Sequence, residues 1–127
     1  MKFTAQIAEI GKGPGNAMSR GCWEVAIAKG TLQKDGWLTL GTVEAVSAIA
    51  GFILRVWIED SKVFADIKVV PTAPGLHVQQ IHENDSTRLS YSVLGKVLER
   101  QGDMITKADI TGLNVSIRGE NTWMSKV

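Results

Sequence analysis

The feature that most constrains the fold is a hairpin pattern, GFILRVWIEDSKVFADIKVV, at residues 51–70. Two runs rich in Val, Ile and aromatic residues flank the polar segment EDSK, and these residue types favour strands. A short polar segment between two such runs is typical of a tight antiparallel turn. The sequence therefore predicts two paired strands here, in a sheet against which the rest of the chain must pack.

Further strand patterns lie towards both ends of the chain. Residues 2–10, KFTAQIAEI, alternate between apolar and polar side chains, and residues 88–100, RLSYSVLGKVLER, do the same with Ser92 on the polar face. Gly95 interrupts the second pattern and predicts a bulge or a close approach of two backbones. The segment DMITKADITGLNVSIRG continues this strand-rich second half of the chain.

Two segments predict helices instead. In MSRGCWEVAIAKG, Trp23, Ala26 and Ile27 recur at the spacing i, i+3, i+4, and Gly30 supplies a stop signal. The segment GLHVQQIHEN follows the chain breaker PTAPG and also favours a helix. We therefore expect a mainly β (α+β) fold with two or three short helices, plausible as a small β-barrel and forming a single domain over residues 1–127.

Composition restricts the classes of protein that fit this pattern. Hydrophobic residues make up 44% of the 127 residues, charged residues 21%, and the net charge is +1. These values are typical of a globular domain, and they argue against disorder and against a nucleic-acid-binding protein that needs a large positive field. The start of the chain lacks the apolar run of a signal peptide, and residues 36–54 are too polar for a membrane span, so we expect a soluble protein made in a cytoplasm.

The sequence offers little support for a metal or cofactor site. Cys22 is the only cysteine, so an intramolecular disulfide is excluded. A single cysteine also cannot by itself build a zinc site. The carboxylate clusters Glu59-Asp60 and Glu83-Asn84-Asp85 occupy predicted turns, where solvated carboxylates are usual. The glycine-rich segment GKGPG lacks the GK[ST] ending of a phosphate-binding loop. We therefore expect no cofactor and no metal.

A nucleophilic serine would need a base within hydrogen-bonding reach. Ser92 lies on a strand pattern with no GxSxG elbow around it, and a serine on the polar face of a strand is ordinary. The two histidines, His77 and His82, are five residues apart in HVQQIH, which places them about 140° apart around a helix. They therefore do not form a pair, although either could be the base of an active serine site.

The four tryptophans divide into two groups. Trp23 and Trp57 fall on apolar faces, and we expect them in the core. Trp37 and Trp123 lie next to turn or tail residues, where a large amphipathic ring more often serves an interface.

Taken in order, several segments resemble the prohead maturation proteases of tailed bacteriophages, in the branch related to the herpesvirus assembly proteases. NAMSRGCWEVAIA is similar to the early turn and Trp-containing helix of that family, and LGTVEAVSAIAGFILRVWIEDSKVFADIKVVPTAPG is similar to its histidine motif, hairpin and Thr-Pro-x-Gly turn. RLSYSVLGKV resembles the nucleophile strand, and ITKADITGLNVS resembles the strand after it. The resemblance covers about residues 16–118, and we expect terminal arms at residues 1–4 and 119–127. It implies a small β-barrel of the prohead protease type.

The resemblance assigns the family's functional positions residue by residue. The nucleophile falls on Ser92, with Ser90 as a register alternative, and the general base falls on Ala45. The acidic residue of the following strand falls on Asn114, and the Arg-Gly pair after the nucleophile reads Leu94-Gly95. Because alanine cannot accept a proton, the resemblance implies a scaffold that has lost its chemistry, with Ser92, Ala45 and Asn114 as vestigial positions.

The function that the resemblance implies is structural. The family acts inside assembling capsids, so we expect a non-catalytic phage head protein of the decoration or cement kind, located in the virion and bound to the major capsid protein. Self-association as a dimer or trimer would suit lattice binding, and no nucleic acid or membrane partner is expected. The candidate interface residues are Met1, Phe3, Trp37, Trp123 and Met124. Two alternatives stay open: an active serine prohead protease that uses Ser92 with His77 or His82, and an unrelated small β-barrel binding module.

Overall fold

The computed structural model describes residues 1–12, 17–41 and 48–117. This part of the chain forms one sheet of seven strands and three helices. The strands are β1 (Lys2–Glu9), β2 (Ala17–Met18), β3 (Trp37–Leu40), β4 (Ile49–Glu59), β5 (Lys62–Val69), β6 (Leu89–Gln101) and β7 (Met104–Ile117). The helices are α1 (Arg20–Lys29), α2 (Thr31–Asp35) and α3 (Ala73–Asp85), and a single 3₁₀ turn, Ser86–Arg88, connects α3 to β6.

The strands follow one another across the sheet in the order β1-β5-β4-β3-β7-β6. β7 carries the long antiparallel β6 along one edge, and its other edge pairs in parallel with β3 and with the two-residue β2. The sheet curls into a half-barrel. The prediction of a mainly β fold with two or three short helices is therefore confirmed, whereas the barrel is only half formed.

The predicted hairpin is formed by β4 and β5, whose register runs from Gly51 opposite Val69 to Glu59 opposite Lys62. The turn uses Asp60, which adopts a left-handed backbone conformation with φ of 56°. Asp and Asn tolerate this region better than most residues because their short side chains can bond locally. The polar segment EDSK is therefore the turn that the sequence predicts.

Hydroxyl side chains cap the starts of α1 and α3, and a glycine ends α1. The Ser19 hydroxyl accepts a hydrogen bond from the Cys22 amide at 3.1 Å, and Gly30 ends α1 with φ of 74°. The Thr72 hydroxyl caps α3 by accepting from the Gly75 amide at 3.1 Å, and it donates to the Ile49 carbonyl at 2.7 Å. The second bond fixes the start of α3 to the start of β4.

The core lies on the concave face of the sheet, against α1 and α3. It contains two aromatic rings, Trp23 and Phe3, which are 1% and 8% exposed, and a layer of aliphatic side chains from every long strand. The fully buried members of that layer include Leu38, Ile67, Val78, Leu113 and Val115. Trp23 is in the core as predicted.

Two predictions about aromatic residues need correction. Trp57 is only half-buried: it pairs with Phe64, while the neighbouring pair Val56 and Ala65 faces the core. Because side chains alternate across a strand, Trp57 lies on the convex face, where its ring stacks on Phe64 with centroids 5.9 Å apart. Phe3, expected in a terminal arm, belongs to β1 and is 8% exposed, since residues 2–4 pair with β5.

Candidate functional site

Ser92, Asn114 and Thr39 form a row across three adjacent strands. Ser92 on β6 lies directly opposite Asn114 on β7, and Asn114 in turn pairs with Thr39 on β3. Residues that are directly opposed in a sheet point to the same face. Their neighbours Leu113 and Val115 are fully buried on the concave face, so the row lies on the convex face. The structure thus brings together two of the three positions that the resemblance singled out.

The exposure of the row falls from the sheet edge inwards. Ser92 is exposed, Asn114 is half-buried and Thr39 is only 7% exposed. Ser90, the register alternative, is also exposed and lies opposite the buried Ser116. Both serine hydroxyls are therefore accessible to a reagent in solution.

The Asn114 side chain holds the end of β3. Its amide Nδ2 donates to Thr39 Oγ1 at 3.2 Å and to the carbonyl oxygen of Gly41. The Gly41 amide in turn donates to the Val115 carbonyl at 2.9 Å, and Gly41 has a φ of 86° that a residue with a side chain rarely adopts. An amide does not act as a proton acceptor near neutral pH. The contacts of Asn114 are those of a residue that fixes the backbone.

Ala45, to which the resemblance assigns the general base, falls in residues 42–47, outside the described part of the chain. The described backbone ends at Gly41, which is hydrogen-bonded to Asn114 and Val115 as above.

The two histidines differ in their surroundings. His77 is exposed, while the half-buried His82 stacks on Phe3 with ring centroids 4.1 Å apart. Since Phe3 points into the core, His82 is held on the concave side, opposite to the face that carries Ser92. Among residues 1–12, 17–41 and 48–117, no hydrogen bond joins a histidine to Ser92.

The Leu94-Gly95 pair falls where the resemblance places the Arg-Gly pair of the family. Leu94 is half-buried opposite Gly112, and the register of β6 against β7 shifts between Leu94 and Gly95. A methyl group on Gly95 would overlap the Asp109 carbonyl oxygen, so this glycine allows the close backbone approach that the sequence predicts. The Leu94 side chain has no donor to offer to a developing oxyanion.

An exposed aromatic pair lies further along the convex face. Trp37 and Phe52 are opposed on β3 and β4, with ring centroids 4.6 Å apart and exposures of 43% and 37%. Leu54, 43% exposed, borders the same shallow depression as these two rings. We refer to Trp37, Phe52 and Leu54 as the Trp37 patch. Sequence analysis selected Trp37 alone, although the run FIL, which is apolar on both faces of β4, was a signal for the other two.

The remaining interface candidates lie at the ends of the chain. Met1 is 41% exposed, and its carbonyl accepts a hydrogen bond from the Val69 amide at 2.9 Å. Phe3 is buried in the core, so its ring is not available to a partner. Trp123 and Met124 fall in residues 118–127, outside the described part of the chain.

Neither a metal cluster nor a spanning helix is found in the described residues. Over these three ranges no group of three or more His, Cys, Asp or Glu side chains is arranged to hold a metal ion. Of the helices described, none combines the length and apolar character needed to cross a membrane.

Comparisons with known proteins give a match at the level of structure. No protein-family model matches the sequence, and no curated protein matches it significantly. A search of solved structures finds the bacteriophage T4 capsid assembly protease, gp21, with a TM-score of 0.68 and 12% sequence identity, over 91% of this chain and 81% of the protease chain. The chain therefore has a fold similar to that of a phage capsid assembly protease.

Proposed function

We propose that this chain is a non-catalytic structural protein of a phage head, a decoration or cement protein that binds and stabilises the lattice of the major capsid protein. The observation that carries the proposal is the role of Asn114. Directly beside Ser92, it donates its amide protons to Thr39 and to the backbone of Gly41. The side chain next to the nucleophile position thus serves the scaffold, on a fold similar to a capsid assembly protease.

Three further features support the absence of catalysis. The family's base position is Ala45, which has no proton acceptor. His82 stacks on Phe3 on the concave side, away from the face of Ser92. Leu94 stands where the family has an arginine. A serine hydroxyl without a base is a poor nucleophile at neutral pH.

We assign the Trp37 patch as the surface of this protein that contacts the capsid. Large rings in the centre of an interface supply most of its binding energy, and stable interfaces bury roughly 1,200 to 2,000 Å² in total. Trp37 and Phe52 present such rings on a rigid pair of strands rather than on a loop. A net charge of +1 limits repulsion between copies packed at high density in the virion, and a dimer or trimer would match the symmetry of a lattice.

Co-sedimentation tests the capsid contact. Wild-type protein should pellet with capsids assembled from the major capsid protein of the same virus, and the double variant Trp37→Ser, Phe52→Ser should stay in the supernatant. Trp57→Ser is the matched control, because it also removes a partly exposed ring from the convex face but leaves the Trp37 patch unchanged. Failure of the wild-type protein to pellet, or equal loss in the control, would argue against this function.

A fluorophosphonate probe separates the structural proposal from an active protease. The folded wild-type protein should show no more labelling than Ser92→Ala. Labelling that disappears specifically in Ser92→Ala would mean an activated serine and would favour the protease, with His77 or His82 as its base.

A further inference from the structure

Lys68 lies on the convex face beside the Trp37 patch. It is opposed by Phe52 on β4, which is in turn opposed by Trp37 on β3. On its other side, Lys68 is opposed by Lys2 on β1. Residues that are directly opposed across neighbouring strands point to the same face, and these four side chains are exposed. Two aromatic rings are thus followed, across the sheet, by two lysines.

Lys2 and Lys68 are like charges that face each other. Among the residues that the structure describes, neither ammonium group forms an ion pair or a hydrogen bond. Asp66, the next residue of β5 on this face, instead accepts a hydrogen bond from the Thr4 hydroxyl at 2.6 Å. Like charges that are directly opposed in a sheet repel each other and reduce its stability. An anion bound from outside would relieve this repulsion.

Lys62, on the same strand and the same face, has the opposite surroundings. It is opposed by Glu9 on β1 and by Glu59 on β4. The charge of Lys62 therefore faces acids on both neighbouring strands, whereas Lys68 is flanked by an aromatic ring and a second cation. The uncompensated positive charge is a feature of the surface beside the Trp37 patch and not of β5 as a whole.

A third lysine borders the Trp37 patch from a helix. Lys34, exposed near the end of α2, lines the same shallow depression as the patch. It forms no ion pair with any side chain that the structure describes. The depression has a volume of about 370 Å³, within the roughly 300 to 1,000 Å³ of sites that hold small organic groups. An apolar surface with room for a large side chain is thus bordered by cations.

This surface fits an acidic protein segment better than a nucleic acid. The rings of Trp37 and Phe52 already pack on each other, with centroids 4.6 Å apart, which leaves no gap between them for a base. Sites for single-stranded nucleic acids combine stacking rings with an extended positive groove that follows the phosphates. Here Asp66, two residues from Lys68 on the same face of β5, interrupts the positive charge.

We propose that the Trp37 patch binds an extended acidic segment of its protein partner, in which one large apolar side chain lies within about four residues of two or more carboxylates. The proposal rests on the function proposed above and adds the chemistry of the segment that is recognised. The apolar side chain lies in the depression, and carboxylates at Lys68 and Lys2 accept charge-assisted hydrogen bonds. From β3 to β1 the surface crosses three strand spacings, roughly 14 Å, which an extended chain covers in about four residues.

A synthetic peptide, Ac-Glu-Glu-Ser-Phe-Ser-Glu-Glu-NH₂, tests the proposal without capsids. In an NMR titration of the full-length protein it should shift the amide signals of Trp37, Phe52 and Lys68, with an affinity that falls as salt is raised. The counterpart with Lys in place of Glu, and the counterpart with Gly in place of Phe, should each bind at least about tenfold more weakly. Equal binding of the lysine counterpart, or no binding of the acidic peptide, would overturn the proposal. So would tighter binding of a ten-nucleotide oligothymidylate, because the site would then favour a nucleic acid.

Two double variants with the same change in net charge locate the site. Lys2→Gln, Lys68→Gln removes the opposed pair, which relieves a repulsion and keeps the fold, and it should weaken peptide binding by about tenfold or more. Lys62→Gln, Lys107→Gln removes two exposed lysines outside the patch and should leave peptide binding within about twofold. An equal effect of the two double variants would contradict the site.

Co-sedimentation with capsids distinguishes a failure of this proposal from a failure of the proposed function. If the wild type pellets with capsids while Lys2→Gln, Lys68→Gln pellets equally well and binds the peptide equally well, the capsid function stands and the acidic segment is wrong. If the wild type does not pellet but binds the acidic peptide as expected, the capsid function is wrong, and recognition of an acidic segment by the Trp37 patch stands.

Discussion

Asn114 lies directly opposite Ser92 in the β6–β7 ladder and donates both of its described hydrogen bonds in the other direction, to Thr39 Oγ1 and to the Gly41 carbonyl. The side chain that lies opposite Ser92 thus ties β3 to β7. These bonds link the position opposite Ser92 to the stability of the sheet.

This link predicts that Asn114→Asp destabilises the protein without activating Ser92. A carboxylate there would face the Gly41 carbonyl oxygen and lose the donor, and such a loss costs about 1–3 kcal/mol in partly buried sites. Urea denaturation should show this decrease in the free energy of unfolding. Asn84→Asp is the matched control, because the Asn84 amide also donates to a carbonyl, that of Gln80 at 2.8 Å, but is exposed; it should cost less than about 1 kcal/mol. Increased fluorophosphonate labelling of Asn114→Asp would contradict the structural role.

The closeness of β6 and β7 at Gly95 gives a second prediction. Gly95→Ala places a methyl group against the Asp109 carbonyl, so the strands must separate locally, and we expect a loss of about 1–3 kcal/mol. Gly21→Ala in α1 is the opposite case, since nothing lies within 4 Å of the new methyl group. That change should stabilise the protein by about 0.5–1 kcal/mol through helix propensity. Thermal unfolding measures both, and an equal effect of the two changes would argue against the close approach at Gly95.

The sequence was sufficient to predict local structure wherever one pattern dominates. The β4–β5 hairpin, the end of α1 at Gly30 and the irregularity at Gly95 all follow from residue types whose backbone preferences act over a few residues. The opposition of Ser92 and Asn114 could not be derived this way, because register between strands depends on the whole sheet. The resemblance to a family named both residues but did not predict that they pair.

The errors of prediction have the same physical origin. Trp57, in the apolar run of β4, was expected in the core, but a β-bulge between Ile53 and Arg55 shifts the alternation of side chains and turns Trp57 to the convex face. The Trp37 patch was incomplete because Phe52 and Leu54 lie in that same run. Closure of the barrel requires β1 to pair with β6, and a local sequence pattern cannot predict pairing between strands so far apart in the chain.

The burial of Phe3 predicts a core effect rather than an interface effect. Phe3→Ala removes a ring that is 8% exposed and stacked on His82, and such changes cost about 3–5 kcal/mol. Met1→Ala, at a position 41% exposed, should change the free energy of unfolding by less than about 0.5 kcal/mol. Denaturant titration of the two variants compares them directly. If Phe3→Ala changes the free energy of unfolding only slightly, residues 1–4 would be a free arm, as the sequence predicts.

The ion pair between Lys29 and Asp109 predicts a pH effect at the acid end. Lys29 Nζ lies 2.8 Å from Asp109 Oδ1, and the hydrogen bond and charge of Lys29 lower the pKa of this carboxyl. A lowered folded-state pKa contributes stability that is present above the unfolded value of about 3.9 and is lost as the pH falls through the folded value. In Lys29→Gln, NMR titration should show the Asp109 pKa moving upwards. No movement would mean that the pair is not formed in solution. Because both groups are largely exposed, added salt should reduce the effect in the wild type.

Cys22 predicts a pH effect of the opposite sign at the alkaline end. It is the only cysteine, it is buried, and burial raises the pKa of its thiol despite a hydrogen bond with the Ala108 backbone. A raised folded-state pKa contributes stability that is present below the unfolded value of about 8.5 and is lost as the pH rises above it. Between pH 7 and 10 the wild type should therefore lose more free energy of unfolding than Cys22→Ala. Reaction with a thiol reagent at pH 8 should be slow in the native protein and fast in urea, because the reactive thiolate forms only when the side chain reaches water. Because the protein has one thiol, the labelling signal reports Cys22 alone. Fast labelling of the native protein would show that α1 opens from β7 far more readily than the packing of Cys22 implies.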